Sequence, residues 1–131
     1  MRKGYKALLE EANALIETVP VEAARTLHGN DGVVFVDLRD PREIQREGRI
    51  PGAFSCPRGM LEFWIDPESP YAKPVFQEPK RFVFYCASGW RSALAARTAL
   101  EMGLENVAHL GGGFTAWRSG GGPVEMPAPK G

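Results

Sequence analysis

Strand-like and helix-like segments alternate along this chain of 131 residues, and the alternation predicts an α/β protein. Buried-strand patterns occur near residues 33, 53, 83 and 107, with helical patterns between most of them. The strand segments are near-continuous apolar runs, as expected for parallel strands that are covered on both faces. We therefore predict a three-layer sandwich, in which a mostly parallel central sheet carries helices on both faces.

The composition indicates one globular domain over residues 1–131 and disfavours several classes of partner. Hydrophobic residues make up 44% of the chain and charged residues 24%, which is typical of a buried core with a polar surface. The 16 basic and 16 acidic residues cancel, so we expect neither nucleic acid nor a membrane as a partner. No apolar run approaches the roughly 20 residues of a membrane span, and the N-terminus is unlike a secretory signal. We expect a cytoplasmic location.

The two cysteines, Cys56 and Cys86, match neither a paired zinc-ligand motif nor a C-x-x-C redox motif. We therefore expect no metal and no other cofactor. A reducing compartment makes a structural disulfide improbable, although the sequence leaves a transient bridge between the two thiols open. Cys56 itself is expected to be a small buried filler.

The N-terminal part predicts a helix, a short strand and a second helix. Leucine and alanine side chains at helical spacing predict an amphipathic helix over residues 3–16 that leans on the rest of the domain. Thr18 and Val19 are expected to start a short edge strand, and Pro20 suits the first turn of the next helix. The core of the domain is then expected to span about residues 19–125.

The apolar run VVFVDL, residues 33–38, predicts the first long strand, and the DPRE sequence after it predicts a helix. Asp40 is the expected N-cap, and Pro41 stands at the first helical position, where proline is tolerated. Glu43 follows the cap by three residues, which completes a capping box. We expect this helix to end at Gly48.

Two charged side chains at the end of this strand are candidates for supporting the site. Asp37 lies where open α/β sheets place their sites, and we expect it to hold the loop of the third strand by hydrogen bonds rather than to take part in chemistry. Arg39 either faces the site or forms an i, i+4 ion pair with Glu43. We favour the ion pair, because exposed pairs of this kind are common.

A turn and a short strand are expected over residues 49–56, followed by a long proline-rich connection over residues 57–80 that contains one helical turn. A connection of this length is often functional. It could form a wall over the site with Arg58 or Trp64 facing a substrate. Alternatively, Phe63 and Trp64 seal the edge of the core.

The centre of the chain predicts a strand that turns directly into a helix, with a cysteine at the junction. Residues 82–85 form the strand pattern, residues 92–102 form the helix pattern, and Cys86 lies between them. Loop amides and the helix dipole favour negative charge there, which favours the thiolate form. We expect a small anion-binding cup with a nucleophilic sulfur at its floor, built by the loop residues Ala87, Ser88, Gly89, Trp90, Arg91 and Ser92. The alternative is an ordinary buried thiol.

The C-terminal part predicts a last parallel strand over residues 106–110 and a short helix after a glycine turn at residues 111–113. His109 lies on the strand, and a lone strand histidine is more often structural than a proton carrier. Residues 126–131 are expected to form a loose tail.

Four segments occur in an order and at a spacing that resemble the rhodanese family of sulfurtransferases: VDLRDPREI, GRIPGA, CASGWRS and GGGFTAW. The resemblance runs from about Val19 to Glu125. It implies a rhodanese-like fold in which Cys86 takes a sulfane sulfur from a donor, becomes a persulfide and passes the sulfur to a thiophilic acceptor. It also implies that Arg91 closes the loop and steers anionic donors. The implied partners are a small sulfur-donor anion or a persulfide, with a protein donor or acceptor as a further option.

The sequence departs from the family pattern at two places. Arg49 stands where the family commonly has the histidine of G-H-I-P-G-A. Ala87 and Trp90 stand where strong thiosulfate users often carry further basic residues. A loop with one arginine holds less charge against a dianion, which makes a persulfide an alternative to thiosulfate as the donor.

Two other functions remain open from the sequence. A phosphatase or arsenate reductase uses a related loop that closes as C-x5-R, whereas only four residues separate Cys86 from Arg91. The smaller cup suits one sulfur atom better than a tetrahedral phosphate. A non-catalytic binding or regulatory module is the second option, although rhodanese-like modules of that kind lack the cysteine that is present here.

Overall fold

The computed structural model describes residues 1–128 and contains a five-stranded sheet with the strand order β1-β5-β4-β2-β3. Neighbouring strands of this sheet pair in parallel. The strands are β1 (Glu17–Val19), β2 (Val33–Asp37), β3 (Phe54–Ser55), β4 (Arg81–Tyr85) and β5 (Val107–Leu110). The predicted α/β fold with a parallel sheet is confirmed, as is the short edge strand at Thr18 and Val19.

Helices cover both faces of the sheet, which confirms the three-layer sandwich. They are α1 (Tyr5–Leu15), α2 (Val21–Leu27), α3 (Pro41–Glu47), α4 (Leu61–Ile65), α5 (Trp90–Glu101) and α6 (Gly113–Ser119). Side chains of β4 alternate between the two apolar layers, because successive residues of a strand point to opposite faces. Phe82 and Phe84 pack with residues of α1, α4 and α5, whereas Val83 and Tyr85 pack with residues of α2 and α6.

The two ends of the chain are attached to this sandwich. Helix α1 packs against α5 through the buried Ala12, as the amphipathic pattern predicts. At the other end, Glu125 pairs with Arg49 in an isolated antiparallel bridge, with N···O distances of 2.9 and 2.8 Å. The predicted loose tail follows this bridge, and its residues 129–131 lie outside the described part of the chain. Among residues 1–128, no helix combines the length and apolar character that crossing a membrane requires.

The connection over residues 57–80 carries α4 and two short 3-10 turns, Arg58–Met60 and Pro74–Gln77. Trp64 packs edge-on against Phe54, with ring centroids 5.9 Å apart, so it seals the edge of the core. Phe63 is 54% exposed, and the expectation that it seals the core as well is wrong. Phe63 directly precedes Trp64 in this helix of only five residues, so the two side chains point in different directions and the Phe63 ring faces solvent.

Candidate active site

Cys86 stands at the carboxyl edge of the sheet, directly after β4, and only Ala87, Ser88 and Gly89 separate it from the first residue of α5. Gly89 has a φ of +112°, a backbone conformation that favours glycine, and this turn lets α5 begin immediately above the sulfur. The cysteine is 1% exposed. The local sequence therefore places a thiol at the floor of a strand-to-helix loop, in the position that was predicted.

Three hydrogen-bonding groups surround the sulfur atom. The backbone N–H of Gly89 donates to Cys86 Sγ at 3.1 Å, and the backbone N–H of Ser92 donates at 3.4 Å. The Cys86 thiol itself donates to the hydroxyl oxygen of Ser92 at 3.5 Å, and that hydroxyl donates to the carbonyl oxygen of Gly89 at 3.3 Å. The two backbone N–H donors stabilise an anionic sulfur by charge-assisted hydrogen bonds. The cup is thus formed by the second half of the predicted loop.

The N-terminus of α6 fixes the first half of the loop from below. The backbone N–H of Phe114 donates to the carbonyl oxygen of Cys86 at 2.8 Å, and that of Thr115 donates to the carbonyl oxygen of Ala87 at 3.1 Å. Gly113 approaches so closely that a Cβ atom there would lie 2.6 Å from both carbonyl oxygens. The glycine turn therefore does more than connect β5 to α6, because it holds the backbone of the cysteine loop.

Arg91, at the far end of the loop, binds a carboxylate from another helix. Its guanidinium forms two hydrogen bonds with Glu43 of α3, at 3.1 and 3.2 Å. Burial opposes the charge on Arg91, but the bonds and the charge of Glu43 outweigh it, so the pKa of Arg91 is raised. The predicted capping box is therefore half formed: Asp40 caps α3 by accepting from the N–H of Arg42, while Glu43 turns to Arg91.

The predicted ion pair between Arg39 and Glu43 is wrong. Arg39 is completely buried and donates to the carboxylate of Asp37 at 3.0 and 2.8 Å and to the carbonyl oxygen of Gly48 at 2.7 Å. Its guanidinium also lies 4.3 Å from the ring centroid of Phe114. The spacing of the two residues suggested an ion pair on the surface of a helix. Arg39 instead lies before the first residue of α3, and its side chain is buried in the protein.

Asp37 supports the loop indirectly. Its carboxylate accepts from the Tyr85 hydroxyl at 2.7 Å, in addition to the bonds from Arg39. We expected the Asp37 carboxylate to accept hydrogen bonds directly from the cysteine loop. It accepts from Arg39 and Tyr85 instead. Tyr85 is the residue before Cys86, and its hydroxyl also accepts from the N–H of Ile50 at 3.1 Å. Burial, together with the Asp37 charge, raises the pKa of Tyr85 far above its usual range.

The remaining candidate residues do not contact the sulfur. Arg58 donates to Glu62 at 2.8 Å and lies 3.5 Å from the hydroxyl of Thr98 on α5, so it joins α4 to α5. Cys56 is completely buried, and burial raises the pKa of its thiol to about 12. Both cysteines are free thiols in the structure. Cys56 thus has the buried position expected of a filler.

His109 reaches the site, which the sequence reasoning missed. Its Nδ1 lies 2.9 Å from the Ser92 hydroxyl, and its Nε2 lies 3.1 Å from the hydroxyl of Thr18. The imidazole is 4% exposed, and burial lowers its pKa. The signal was available in principle, because β5 pairs with β4 in parallel and so carries His109 to the same sheet edge as Cys86.

Two exposed aromatic rings stand at the rim of the loop. Trp90 is 58% exposed at the start of α5, and Tyr5 of α1 is 52% exposed. Their ring centroids are 5.1 Å apart. The N-terminal helix therefore contacts the outer side of the cysteine loop.

Comparison with known proteins defines the class that this fold and loop represent. The family model of the rhodanese-like domain matches residues 20–120, and the chain belongs to this family. The resemblance that the four sequence segments indicated is thereby confirmed.

Particular relatives carry differing descriptions. A solved structure from Rhodopseudomonas palustris, described as a protein of unknown function and possible tyrosine phosphatase, shares 65% identity, with a TM-score of 0.94 over 95% of this chain and 96% of that one. The thiosulfate sulfurtransferase GlpE of Pseudoalteromonas translucida is 31% identical over 76% of this chain and 88% of its own. The thiosulfate:glutathione sulfurtransferase of Saccharomyces cerevisiae is 35% identical over 69% of this chain and 68% of its own.

Proposed function

We propose that this protein is a sulfurtransferase that carries a sulfane sulfur as a persulfide on Cys86. The observation that supports this most directly is the pair of backbone N–H groups, of Gly89 and Ser92, that donate to the sulfur at 3.1 and 3.4 Å. Such a pair matches a single anionic sulfur atom in size and charge. The thiosulfate sulfurtransferases among the relatives support the same reaction class.

The reaction divides into two displacements at sulfur. The Cys86 thiolate attacks the outer sulfur of the donor, a new S–S bond forms, the donor's own bond to that sulfur breaks, and the donor remainder leaves with the electron pair. A thiophilic acceptor then attacks the terminal sulfur, the bond to Cys86 breaks, and the thiolate is restored. Covalent storage splits one difficult transfer into two simpler steps. The loop donors stabilise the Cys86 thiolate, the anionic state from which each cycle starts and to which it returns.

The pairing of Arg91 bears on the choice of donor. Its guanidinium is occupied by Glu43, so the loop offers a dianion such as thiosulfate little uncompensated positive charge. Glu43 would also repel an approaching dianion. We therefore propose a persulfide, of a small thiol or of a protein, as the better donor. The free thiols of the chain fit a reducing compartment, and on this ground we propose the cytoplasm as the setting.

A phosphatase is the second candidate, because the Rhodopseudomonas palustris relative carries that description. A phosphoryl group needs donors for three oxygens around the sulfur and a free arginine. Four residues between Cys86 and Arg91 leave a short loop, and Glu43 already binds the arginine. These two features favour sulfur transfer. A purely binding role would not account for the two N–H groups that donate to the Cys86 sulfur.

The proposal is tested by assaying the purified chain for sulfur transfer to cyanide and for hydrolysis of p-nitrophenyl phosphate. Thiosulfate and glutathione persulfide serve as the two sulfur donors. We expect thiocyanate above the uncatalysed rate with both donors, more rapidly with the persulfide, and only the uncatalysed rate from Cys86→Ala. Cys56→Ala is the matched control, since it removes a buried thiol outside the loop, and it should retain turnover. Phosphate release that is lost in Cys86→Ala, with no thiocyanate above the uncatalysed rate from either donor, would assign the phosphatase instead.

A further inference from the structure

A chain of hydrogen bonds runs from the sulfur of Cys86 to the edge of the sheet. The Ser92 hydroxyl lies 3.5 Å from the sulfur and 2.9 Å from Nδ1 of His109. Nε2 of the same imidazole lies 3.1 Å from the hydroxyl of Thr18. Cys86, Ser92 and His109 are buried, whereas Thr18 is exposed on the edge strand β1. These hydrogen bonds therefore link a sulfur atom that is 1% exposed to a hydroxyl group that solvent reaches.

The imidazole at the centre of this chain is neutral near pH 7. Burial lowers the pKa of His109, and desolvation is the cause of that shift. A neutral imidazole has one nitrogen that donates and one that accepts, so each tautomer fixes the direction of the bonds on both sides. Hydroxyl groups can donate and accept, which lets Ser92 and Thr18 follow either direction.

Each direction suits one charge state of the sulfur. With the proton on Nδ1, His109 donates to Ser92 Oγ, and the Ser92 hydroxyl can turn from the carbonyl oxygen of Gly89, 3.3 Å away, to donate to an anionic sulfur. With the proton on Nε2, Nδ1 accepts from the Ser92 hydroxyl, and Ser92 Oγ can accept from a protonated Cys86. Either arrangement satisfies the buried polar atoms, whereas a thiolate combined with a proton on Nε2 leaves the sulfur and Nδ1 competing for the one Ser92 hydroxyl proton, at a cost of about 1–3 kcal/mol.

We propose that Ser92, His109 and Thr18 form a reversible proton path from Cys86 to solvent, in which the tautomer of His109 follows the charge on the sulfur. When the thiol ionises, its proton passes to Ser92, the Ser92 proton passes to Nδ1, the Nε2 proton passes to Thr18, and the Thr18 proton passes to water. One proton leaves and no bond between heavy atoms changes. His109 acts as a positioning residue, because it affects the sulfur through Ser92.

The imidazole makes its polar side-chain contacts, within the described residues, with the two hydroxyl groups of this path. On β4, the register partner of His109 is the apolar Phe84, and in the loop a Cβ atom at Gly89 would lie 3.8 Å from His109 Cε1. On the sulfur side, the charged group is Arg91 of α5, which Glu43 of α3 compensates. No charged side chain in the described part of the chain hydrogen-bonds to the imidazole.

The inference rests on the proposed function for its purpose, since a persulfide carrier alternates between sulfur states. The test of the inference is independent of the proposed function, because the test follows ionisation of the Cys86 thiol and needs no sulfur donor. A failure of sulfur transfer and a failure of the proton path are therefore distinguishable.

The direct test is the ¹⁵N spectrum of the histidine rings in the full-length chain between about pH 6 and about pH 9, a range that brackets ordinary thiol ionisation. The chain has 2 histidines, and His28 is an internal reference, because its Nε2 lies 2.8 Å from the Pro51 carbonyl oxygen and must donate. We expect His109 to change from the Nε2–H to the Nδ1–H tautomer as Cys86 ionises. In Cys86→Ala and Ser92→Ala it should keep one tautomer. A His109 tautomer that stays constant in the unsubstituted protein, or that still changes in Ser92→Ala, would overturn the proposal.

The second test is the pH profile of Cys86 alkylation by iodoacetamide. Loss of one hydrogen bond to the thiolate corresponds to about a tenfold to hundredfold lower rate near pH 7. Ser92→Ala and His109→Leu should show this loss and a profile moved to higher pH, while His109→Asn, which keeps an amide donor for Ser92, should recover most of the rate. Ser119→Ala is the matched control, since this exposed serine ends α6. A purely structural histidine would lower the unfolding temperature and leave the profile unmoved, and that result contradicts the proposal.

Discussion

Replacing Gly113 by alanine tests whether the glycine turn holds the cysteine loop. A Cβ atom at this position would lie 2.6 Å from the carbonyl oxygens of Cys86 and Ala87 and 2.7 Å from the carbonyl carbon of Ala87. Contacts this short with backbone atoms force the loop and α6 apart. The two hydrogen bonds from the N-terminus of α6 to these same carbonyl oxygens would then lengthen or break.

The expected loss of stability has two parts. A side chain at a left-handed backbone position costs about 1–2 kcal/mol, and overpacking of a tight contact costs about 1–3 kcal/mol. The sum of about 2–5 kcal/mol is a large share of the stability of an ordinary domain. Gly103→Ala is the matched control, because Gly103 has a φ of +96°, no better suited to alanine than the +62° of Gly113, but has no atom within 4 Å of the Cβ position. It should show only the first part.

Urea unfolding of the two variants measures this difference, and the iodoacetamide rate of Cys86 under native conditions reports on the loop. We expect Gly113→Ala to lose at least about 1 kcal/mol more than Gly103→Ala and to change the reactivity of the thiol. Equal losses of stability in the two variants, with an unchanged rate, would refute the idea that the glycine turn supports the loop.

Three further predictions concern the buried polar groups. Tyr85→Phe should destabilise the protein by about 2–4 kcal/mol in urea unfolding, because it leaves Asp37 and the Ile50 N–H each short of one partner; Tyr71→Phe, at an exposed ring, should change stability by less than about 0.5 kcal/mol. Iodoacetamide near pH 8 should label Cys86 and leave the buried Cys56, with its pKa of about 12, unmodified until the chain unfolds, so two labels on the native protein would contradict the structure. The free energy of unfolding should fall as the pH drops below about 6.5, because burial lowers the pKa of His109 and the unfolded chain takes up the proton first; His109→Asn should show a smaller fall between pH 7 and pH 5, and an equal fall would contradict this assignment.

Local patterns were sufficient to predict most of the fold. The apolar runs of β2 and β4 and the alanine-rich α5 follow directly from burial on both faces and from helical spacing. Cys86 could be assigned to a strand-to-helix loop for the same reason, because the strand, the glycine and the helix are contiguous in sequence. The long connection over residues 57–80 was less predictable, since its short helix and 3-10 turns are held by tertiary contacts such as Trp64 on Phe54.

The partners of the charged side chains could not be predicted from local spacing. Arg39 and Glu43 are four residues apart, a spacing that suggested an ion pair between them. In the structure, each of them binds a different partner. Asp37 shares the buried edge of β2 with Arg39, and Arg91 reaches Glu43 from 48 positions away. Such pairs depend on how α3 and α5 meet above the sheet, and a single sequence does not specify this geometry.

His109 shows the same limit at the site itself. Considered alone, a histidine on a strand is ordinary, and its role emerges only from strand order, because β5 lies between β1 and β4. That order brings Thr18, His109 and the loop after β4 to one edge of the sheet. Residues distant in sequence meet there for topological reasons.

The intact mass of the purified protein, measured after incubation with a persulfide donor and again after cyanide, tests the central claim most directly. We predict a gain of one sulfur mass that Cys56→Ala retains, that Cys86→Ala lacks and that cyanide removes. The cyanide step is needed because two added oxygens weigh almost the same as one sulfur, and a sulfinic acid would not be discharged. A mass that stays unchanged with the donor, or a gain that persists in Cys86→Ala, would contradict a persulfide carried on Cys86.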